Sequence, residues 1–165
     1  MGRLVSDVVL CTDYLSSRAE VDPKKISVSG FSLGGIASFY SLVIDERLAA
    51  AATFCGGVGS VAHLVQGETT SFHSAYFYPH GLLSDGLDHP QLVEAIAPRP
   101  LLLCAATQDS GMPLAGVKAF EKAAKKAYAA SNAKDHFKVL VESGPHAMTE
   151  AGFETMVEFL DQKLG

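Results

Sequence analysis

The chain has 165 residues, of which 48% are hydrophobic and 19% are charged, a composition typical of one globular domain. Lys and Arg total 13 against 18 Asp and Glu, and this net charge of −5 argues against nucleic acid as a partner. No apolar run is long enough to span a membrane and no signal peptide is visible, so we expect a cytoplasmic protein without a membrane partner.

Hydrophobic periodicity predicts helices that alternate with short strands. Leu4, Val8 and Leu15 recur at helical spacing and predict a helix over about residues 3–19. The further elements predicted, in chain order, are a strand at 26–29, a helix at 33–44, a strand at 49–54, a strand at 100–105, a helix at 113–130, a strand at 136–142 and a helix at 149–164.

This alternation predicts βαβ units and a parallel sheet of about four strands flanked by helices. Ligands bind such sheets at the carboxyl ends of the strands. Residues 56–97 interrupt the pattern with an irregular segment, in which only a short helix over 92–96 is predicted. We interpret 56–97 as a lid-like or inserted segment of a single domain that covers residues 1–165.

The sequence Gly30-Phe31-Ser32-Leu33-Gly34 has the pattern Gly-x-Ser-x-Gly between a predicted strand and a predicted helix. This context indicates a nucleophile elbow, a sharp turn that exposes the serine hydroxyl above the sheet. We predict that Gly30 and Gly34 are glycines because a Cβ would collide where the strand and the helix pass. The Leu33 N–H, at the helix N-terminus, is predicted to stabilise an oxyanion. The alternative is a Gly-rich turn in which Ser32 only caps the helix.

Two further residues follow strands where a hydrolase needs them. Asp109 comes after the strand at 100–105 and can accept a hydrogen bond from an imidazole. His146 comes after the strand at 136–142, in a loop that begins with Gly144 and Pro145. Each taken alone could be an ordinary loop residue. The chain order Ser32, Asp109, His146 is nevertheless that of a catalytic triad on a parallel sheet.

Two stretches of the chain resemble known hydrolases. Residues 21–26, Val-Asp-Pro-Lys-Lys-Ile, followed by Gly-Phe-Ser-Leu-Gly-Gly, resemble the approach to the elbow in dienelactone-hydrolase-like esterases and prolyl-oligopeptidase-like peptidases. Residues 97–102, Ala-Pro-Arg-Pro-Leu-Leu, resemble the entry to the acid-bearing strand of acetyl xylan esterase-like hydrolases. The resemblance extends over nearly the whole chain and is weakest over about 58–90. It implies an abbreviated α/β-hydrolase fold that corresponds to the C-terminal half of the family, without its N-terminal strands.

The resemblance implies a serine hydrolase that cleaves small carboxylic esters, of short acyl groups and including acetylated carbohydrates, without a cofactor. Ser32 would be the nucleophile, His146 the general base and Asp109 the residue that orients it. A prolyl-oligopeptidase-type serine peptidase and a truncated, non-catalytic domain that acts through its exposed sheet edge remain alternatives.

The chain departs from the family ahead of Ser32. The family loop, often His-Gly-Gly-like, that supplies a second oxyanion N–H has no counterpart, and the pair His80-Gly81 follows the nucleophile. We therefore expect a half-built oxyanion hole. We also expect one edge of the strand at 26–29 to be bare, and a homo-oligomer to cover it.

Several side chains in the segment 56–97 and elsewhere are weaker candidates. No metal site is predicted, because the histidines there lack metal-ligand spacing; they are His63, His73, His80 and His89, with Asp85 and Asp88 nearby. Asp85 or Asp88 could replace Asp109 as the triad acid, although neither follows a predicted strand. Aromatic residues could form a substrate wall or pack on the core, namely Phe72, Tyr76, Phe77 and Tyr78.

The cysteines are predicted to be buried free thiols: Cys11, Cys55 and Cys104.

Overall fold

The computed structural model describes residues 1–66 and 75–165. Its sheet has four parallel strands, paired in the order in which they occur in the chain. The strands are β1 (Ser27–Phe31), β2 (Ala50–Phe54), β3 (Leu101–Ala106) and β4 (Phe137–Glu142). The predicted α/β class with four parallel strands is confirmed.

Helices follow or precede each strand, as the alternation of the sequence predicts. The α-helices of the described residues are α1 (Gly2–Ser16), α2 (Leu33–Ile44), α3 (Val61–Gln66), α4 (His89–Leu92), α5 (Leu114–Ala130) and α6 (Glu150–Leu164). Short 3-10 turns lie at Ala75–Phe77, Val93–Ala95 and Lys134–His136. The predicted helix at 92–96 is therefore replaced by α4 and a 3-10 turn, and α3 was not predicted.

The two faces of the sheet pack against different helices, because alternate strand residues point to opposite sides. On one face, Ala51 and Leu101 belong to a large core formed mainly with α2 and α5. On the other face, Ala52 and Leu102 pack against Phe159 of α6 in a smaller core. Parallel sheets are stable only when both faces are covered, and β2 and β3 meet that condition.

Strand β1 is less well covered than its neighbours. Ser29 and Phe31 lie in register with Ala52 and Phe54, on the face that α6 covers over β2. Ser29 is nevertheless exposed, and Phe31 is 37% exposed. Within residues 1–66 and 75–165 no strand pairs with the outer edge of β1. The turn that bears Ser32 thus lies at the end of an edge strand.

Part of the segment 56–97 is built into the core by a buried carboxylate. Asp88 accepts hydrogen bonds from Ser60 Oγ at 2.7 Å, from the Val61 N–H at 2.7 Å and from the Ala62 N–H at 3.1 Å, at the start of α3. These bonds and the fourth, from the His89 N–H, hold the pKa of Asp88 below its ordinary value despite burial.

The cysteines are free thiols, as predicted, but not all are buried. Cys55 and Cys104 are buried, whereas Cys11 is exposed. The prediction for Cys11 is wrong because α1 buries only Val5 and Thr12, and Cys11 lies outside that narrow face. No helix of the described residues has the length and apolarity needed to cross a membrane.

Candidate active site

Ser32 occupies the sharp turn between β1 and α2. Its backbone has φ 55° and ψ −119°, a strained conformation for a residue with a side chain. The Ser32 N–H donates to the Phe54 carbonyl at 2.8 Å, which fixes the turn to the end of β2. The backbone geometry is that expected of a nucleophile elbow.

The close approach of strand and helix explains one of the two elbow glycines. A Cβ on Gly30 would collide with the backbone of Gly34, so Gly30 is required. A Cβ on Gly34 would meet nothing within 4 Å, so its predicted role as a collision-avoiding glycine is wrong. The backbone of Gly34 is approached, but its Cβ would point away. Gly35 carries that role instead, because its Cβ would lie 3.0 Å from the Gly30 carbonyl oxygen and the Gly56 Cα.

The loops that bear Asp109 and His146 extend the pairing of β3 with β4. The Thr107 N–H donates to the Glu142 carbonyl at 2.9 Å, and the Gln108 N–H donates to the Gly144 carbonyl at 2.8 Å. The Gly144 N–H returns a bond to Thr107 Oγ1 at 3.1 Å. These bonds hold the two loops side by side at the carboxyl edge of the sheet.

The structure brings Ser32, His146 and Asp109 together as a hydrogen-bonded chain. His146 Nε2 lies 2.9 Å from Ser32 Oγ, and His146 Nδ1 lies 2.8 Å from Asp109 Oδ2. An ionised carboxylate only accepts, so Nδ1 carries the proton and Nε2 accepts from the serine hydroxyl. The geometry is that of an activated nucleophile, its base and the group that orients the base.

Asp109 is more deeply buried than His146, to which it is hydrogen-bonded. Its side chain is 3% exposed, against 41% for that of His146. The second carboxylate oxygen, Oδ1, accepts from the Gly111 N–H at 2.9 Å. Phe31 packs on the His146 ring with centroids 4.8 Å apart and supports the imidazole from the β1 side.

A cavity of about 390 Å³ opens over these residues. Its walls include the apolar side chains of Leu33, Ile36 and Phe77. Leu33 is the first residue of α2, so its N–H has no acceptor within the helix. That N–H lies next to the Ser32 hydroxyl in the chain, where a developing oxyanion would form.

Most candidates from the segment 56–97 lie elsewhere. His89 is buried against Tyr40, His63 bonds Ser60, and His80 lines a groove between α1 and α2 rather than the cavity. The pair His80-Gly81 therefore supplies no donor at Ser32. Asp88 is committed to α3, and neither it nor Asp85 lines the cavity.

The aromatic candidates are divided between roles. Phe77 lines the cavity, whereas Tyr78 lies 6.0 Å from the His89 ring, centroid to centroid, and packs on the core. Tyr76 is exposed. Phe72 and His73 lie outside the described residues.

Cys55 was singled out in the sequence only as a thiol, yet it lines the cavity. In the described part of the chain, Cys55, Asp109 and His146 form the one group that could hold a metal, with ligand atoms within 4.8 Å of one another. The hydrogen bond between His146 and Asp109 already uses two of these atoms. Burial raises the pKa of Cys55 to about 11, so the thiolate that metals bind is disfavoured. We assign no metal to this group.

Comparison with known proteins places the chain in a family. The family model described as "Dienelactone hydrolase family" matches residues 1–139. The chain belongs to the dienelactone hydrolase family. YtaP of Bacillus subtilis (strain 168) is 28% identical over 163 residues, which are 99% of this chain and 54% of that protein. The protein named "Carbohydrate esterase MZ0003", from an unknown prokaryotic organism, is 32% identical over 109 residues, 59% of this chain and 25% of that protein.

Solved structures share the fold of this family member. A glucuronoyl esterase from Solibacter usitatus matches 98% of the chain with a TM-score of 0.83 and 16% identity. A CE15 glucuronoyl esterase from Caldicellulosiruptor kristjansonii matches 97% with a TM-score of 0.77 and 24% identity. The chain covers 48% and 49% of these two structures, so it spans about half of their length. The predicted α/β-hydrolase fold is confirmed.

Proposed function

We propose that the chain is a serine hydrolase that cleaves carboxylic esters through Ser32, His146 and Asp109. The observation that carries the proposal is the hydrogen-bonded chain from Ser32 Oγ through both nitrogens of His146 to Asp109, at 2.9 and 2.8 Å. Membership of a hydrolase family supports it. The strained turn that presents Ser32 supports it as well, because such strain concentrates at functional sites.

In the proposed reaction, Ser32 Oγ attacks the ester carbonyl carbon while His146 Nε2 takes the hydroxyl proton. The negative charge forms on the carbonyl oxygen and is stabilised by the Leu33 N–H. When the intermediate collapses, the bond to the alcohol oxygen breaks and His146 returns the proton to the alcohol. Water then attacks the acyl-enzyme by the same proton route and releases the carboxylic acid. Asp109 holds the imidazole tautomer and stabilises its charged form.

The proposed substrates are esters of short acyl groups, including acetylated carbohydrates. The cavity of about 390 Å³ is of modest size, and Leu33, Ile36 and Phe77 suit an apolar acyl group. The name "Carbohydrate esterase" of one relative supports a sugar as the alcohol part.

The test is steady-state hydrolysis of p-nitrophenyl acetate by the wild-type chain and by Ser32→Ala. Ser29→Ala is the matched control, since Ser29 is an exposed serine of β1, the strand that ends directly before Ser32. We expect Ser32→Ala to lose at least about 1000-fold in kcat and Ser29→Ala to keep the wild-type rate. Equal rates in the wild type and Ser32→Ala would overturn the proposal. Faster cleavage of a peptide p-nitroanilide than of the ester would instead favour the peptidase.

A further inference from the structure

Cys55 has an unusual backbone for its residue type. It follows β2 with φ 44°, in the left-handed region that favours glycine, and it precedes two glycines, Gly56 and Gly57. A side chain in this region is strained relative to glycine. A residue kept in such a conformation points to a use for its side chain.

The side chain of Cys55 lies where three loops of the active site meet. The residue is 5% exposed, and its N–H donates to the Cys104 carbonyl of β3 at 2.9 Å. Its Sγ donates to the Ala147 carbonyl at 3.5 Å, next to His146. Its Sγ also lies within 4.8 Å of a carboxylate oxygen of Asp109 and a ring nitrogen of His146. One thiol therefore borders both the base and the acid of the proposed triad.

The thiol is suited to a neutral, structural role. Burial and the neighbouring Asp109 carboxylate raise its pKa to about 11, so it stays protonated at neutral pH. A protonated thiol adds no negative charge beside Asp109 and does not compete with Ser32 as a nucleophile. It supplies a weak donor to the Ala147 carbonyl and packs beside His146 and Asp109.

We propose that Cys55 is a positioning residue that holds the His146 loop against Asp109. Its contact with the Ala147 carbonyl ties the loop after β4 to the end of β2, and its sulfur lies beside the Asp109 carboxylate. The kinetic consequence rests on the proposed esterase function. The placement of His146 does not, and it can be measured without turnover.

The test compares Cys55→Gly, Cys55→Ala and Cys55→Ser with Cys104→Ala, which removes a neighbouring buried thiol as the control. Cys55→Gly removes the thiol and also relieves the backbone strain. Because the relieved strain offsets the stability lost with the side chain, an effect on His146 can be distinguished from a loss of stability. The readouts are the downfield proton NMR signal of His146 Nδ1–H, kcat and KM for p-nitrophenyl acetate, and the thermal midpoint.

We expect Cys55→Gly and Cys55→Ala to weaken or shift the Nδ1–H signal and to lower kcat about 10-fold, with KM changed less than about 2-fold. Cys55→Ser keeps the wild-type Nδ1–H signal and kcat, because the serine hydroxyl donates to the same Ala147 carbonyl. Cys55→Gly keeps the wild-type thermal midpoint, and Cys104→Ala keeps the signal and kcat. An unchanged Nδ1–H signal in Cys55→Gly and Cys55→Ala would overturn the proposal. If the wild type shows no Ser32-dependent turnover, the esterase proposal fails while the signal still decides the role of Cys55.

Discussion

Ser32 and Cys55, which both border the cavity of the candidate active site, have positive φ angles although neither is glycine. Each lies directly after a strand, Ser32 after β1 and Cys55 after β2. The Ser32 hydroxyl bonds His146 Nε2, and the Cys55 thiol donates to the carbonyl of the next residue, Ala147. The Gly-x-Ser-x-Gly pattern predicts the strained backbone of Ser32, whereas no sequence pattern predicts the strained backbone of Cys55.

The role of Asp109 can be tested against the other acids that the sequence offers. We expect Asp109→Asn to lower kcat about 100- to 10,000-fold, because an amide cannot hold the His146 tautomer or stabilise its charged form. Asp85→Asn is the control and should keep the wild-type rate, since Asp85 does not line the cavity. The measurement is p-nitrophenyl acetate hydrolysis with each purified variant. A large loss in Asp85→Asn with none in Asp109→Asn would contradict the assignment.

The triad candidates could be predicted because each follows a strand that the pattern of the sequence indicates. A parallel sheet gathers the residues after its strands at one edge, so the chain order alone brings Ser32, Asp109 and His146 together. Cys55 also follows a strand, but a cysteine beside two glycines resembles an ordinary buried thiol. Its contacts depend on how the loop after β4 returns to β2, which no local pattern specifies.

At the scale of elements, the crossing of β1 and α2 sets which glycines the elbow needs. We expect Gly30→Ala to lower the free energy of unfolding by more than about 2 kcal/mol, because its Cβ would collide with backbone that cannot move aside. Gly34→Ala should be neutral or slightly stabilising, since its Cβ meets open space and alanine favours a helix. Thermal and urea unfolding of the pair check this. Equal destabilisation of both variants would contradict the described crossing.

The segment 56–97 was the least predictable element. Its fold depends on hydrogen bonds from Ser60, Val61 and Ala62 to a carboxylate that lies 26 to 28 residues away in the chain, at Asp88. Hydrogen bonds of this kind produce no periodic pattern of apolar residues from which the segment's structure could be predicted. The prediction of an irregular lid therefore missed that Val58 and Val93 belong to the main core.

Buried His89 makes this segment sensitive to acid. Its Nδ1 accepts from the Gly59 N–H at 3.3 Å, so its Nε2 carries the proton and bonds Tyr40 Oη at 2.8 Å. Burial lowers the pKa of His89 to about 4, although the Asp88 carboxylate opposes this shift. Tyr78 also faces the ring.

Between about pH 6.5 and pH 4, the unfolded chain binds a proton at His89 that the folded chain does not. We therefore expect the free energy of unfolding to fall as the pH decreases through this window. Urea unfolding at intervals of pH measures it, and His89→Gln should show a shallower decline than the exposed control His80→Gln. A wild-type stability that is constant from pH 6.5 to 4.5 would contradict this reading.

At the scale of the whole molecule, β1 is the outermost strand on one side of the sheet of the described residues and lies beside the candidate active site. In the described part of the chain the outer edge of β1 is unpaired, and unpaired edges favour pairing with another chain. The homo-oligomer predicted from the sequence stays a prediction. Light scattering after size exclusion should give a mass above the 17.4 kDa of one chain.

A charged side chain at this edge provides the matched variant. We expect Ser29→Lys to shift the population towards the single-chain mass, because a lysine disfavours pairing at a sheet edge. A wild-type mass of one chain at all accessible concentrations would contradict the prediction.

The most direct test of the central claim is intact-mass spectrometry after reaction with a fluorophosphonate. The reagent bonds covalently to an activated serine hydroxyl with loss of fluoride and needs no turnover of an acyl-enzyme. We predict one adduct per chain, located on Ser32 by peptide mapping and absent from Ser32→Ala and from His146→Ala. No adduct in the wild type, or an adduct on another residue, would contradict the proposal that Ser32 is an activated nucleophile.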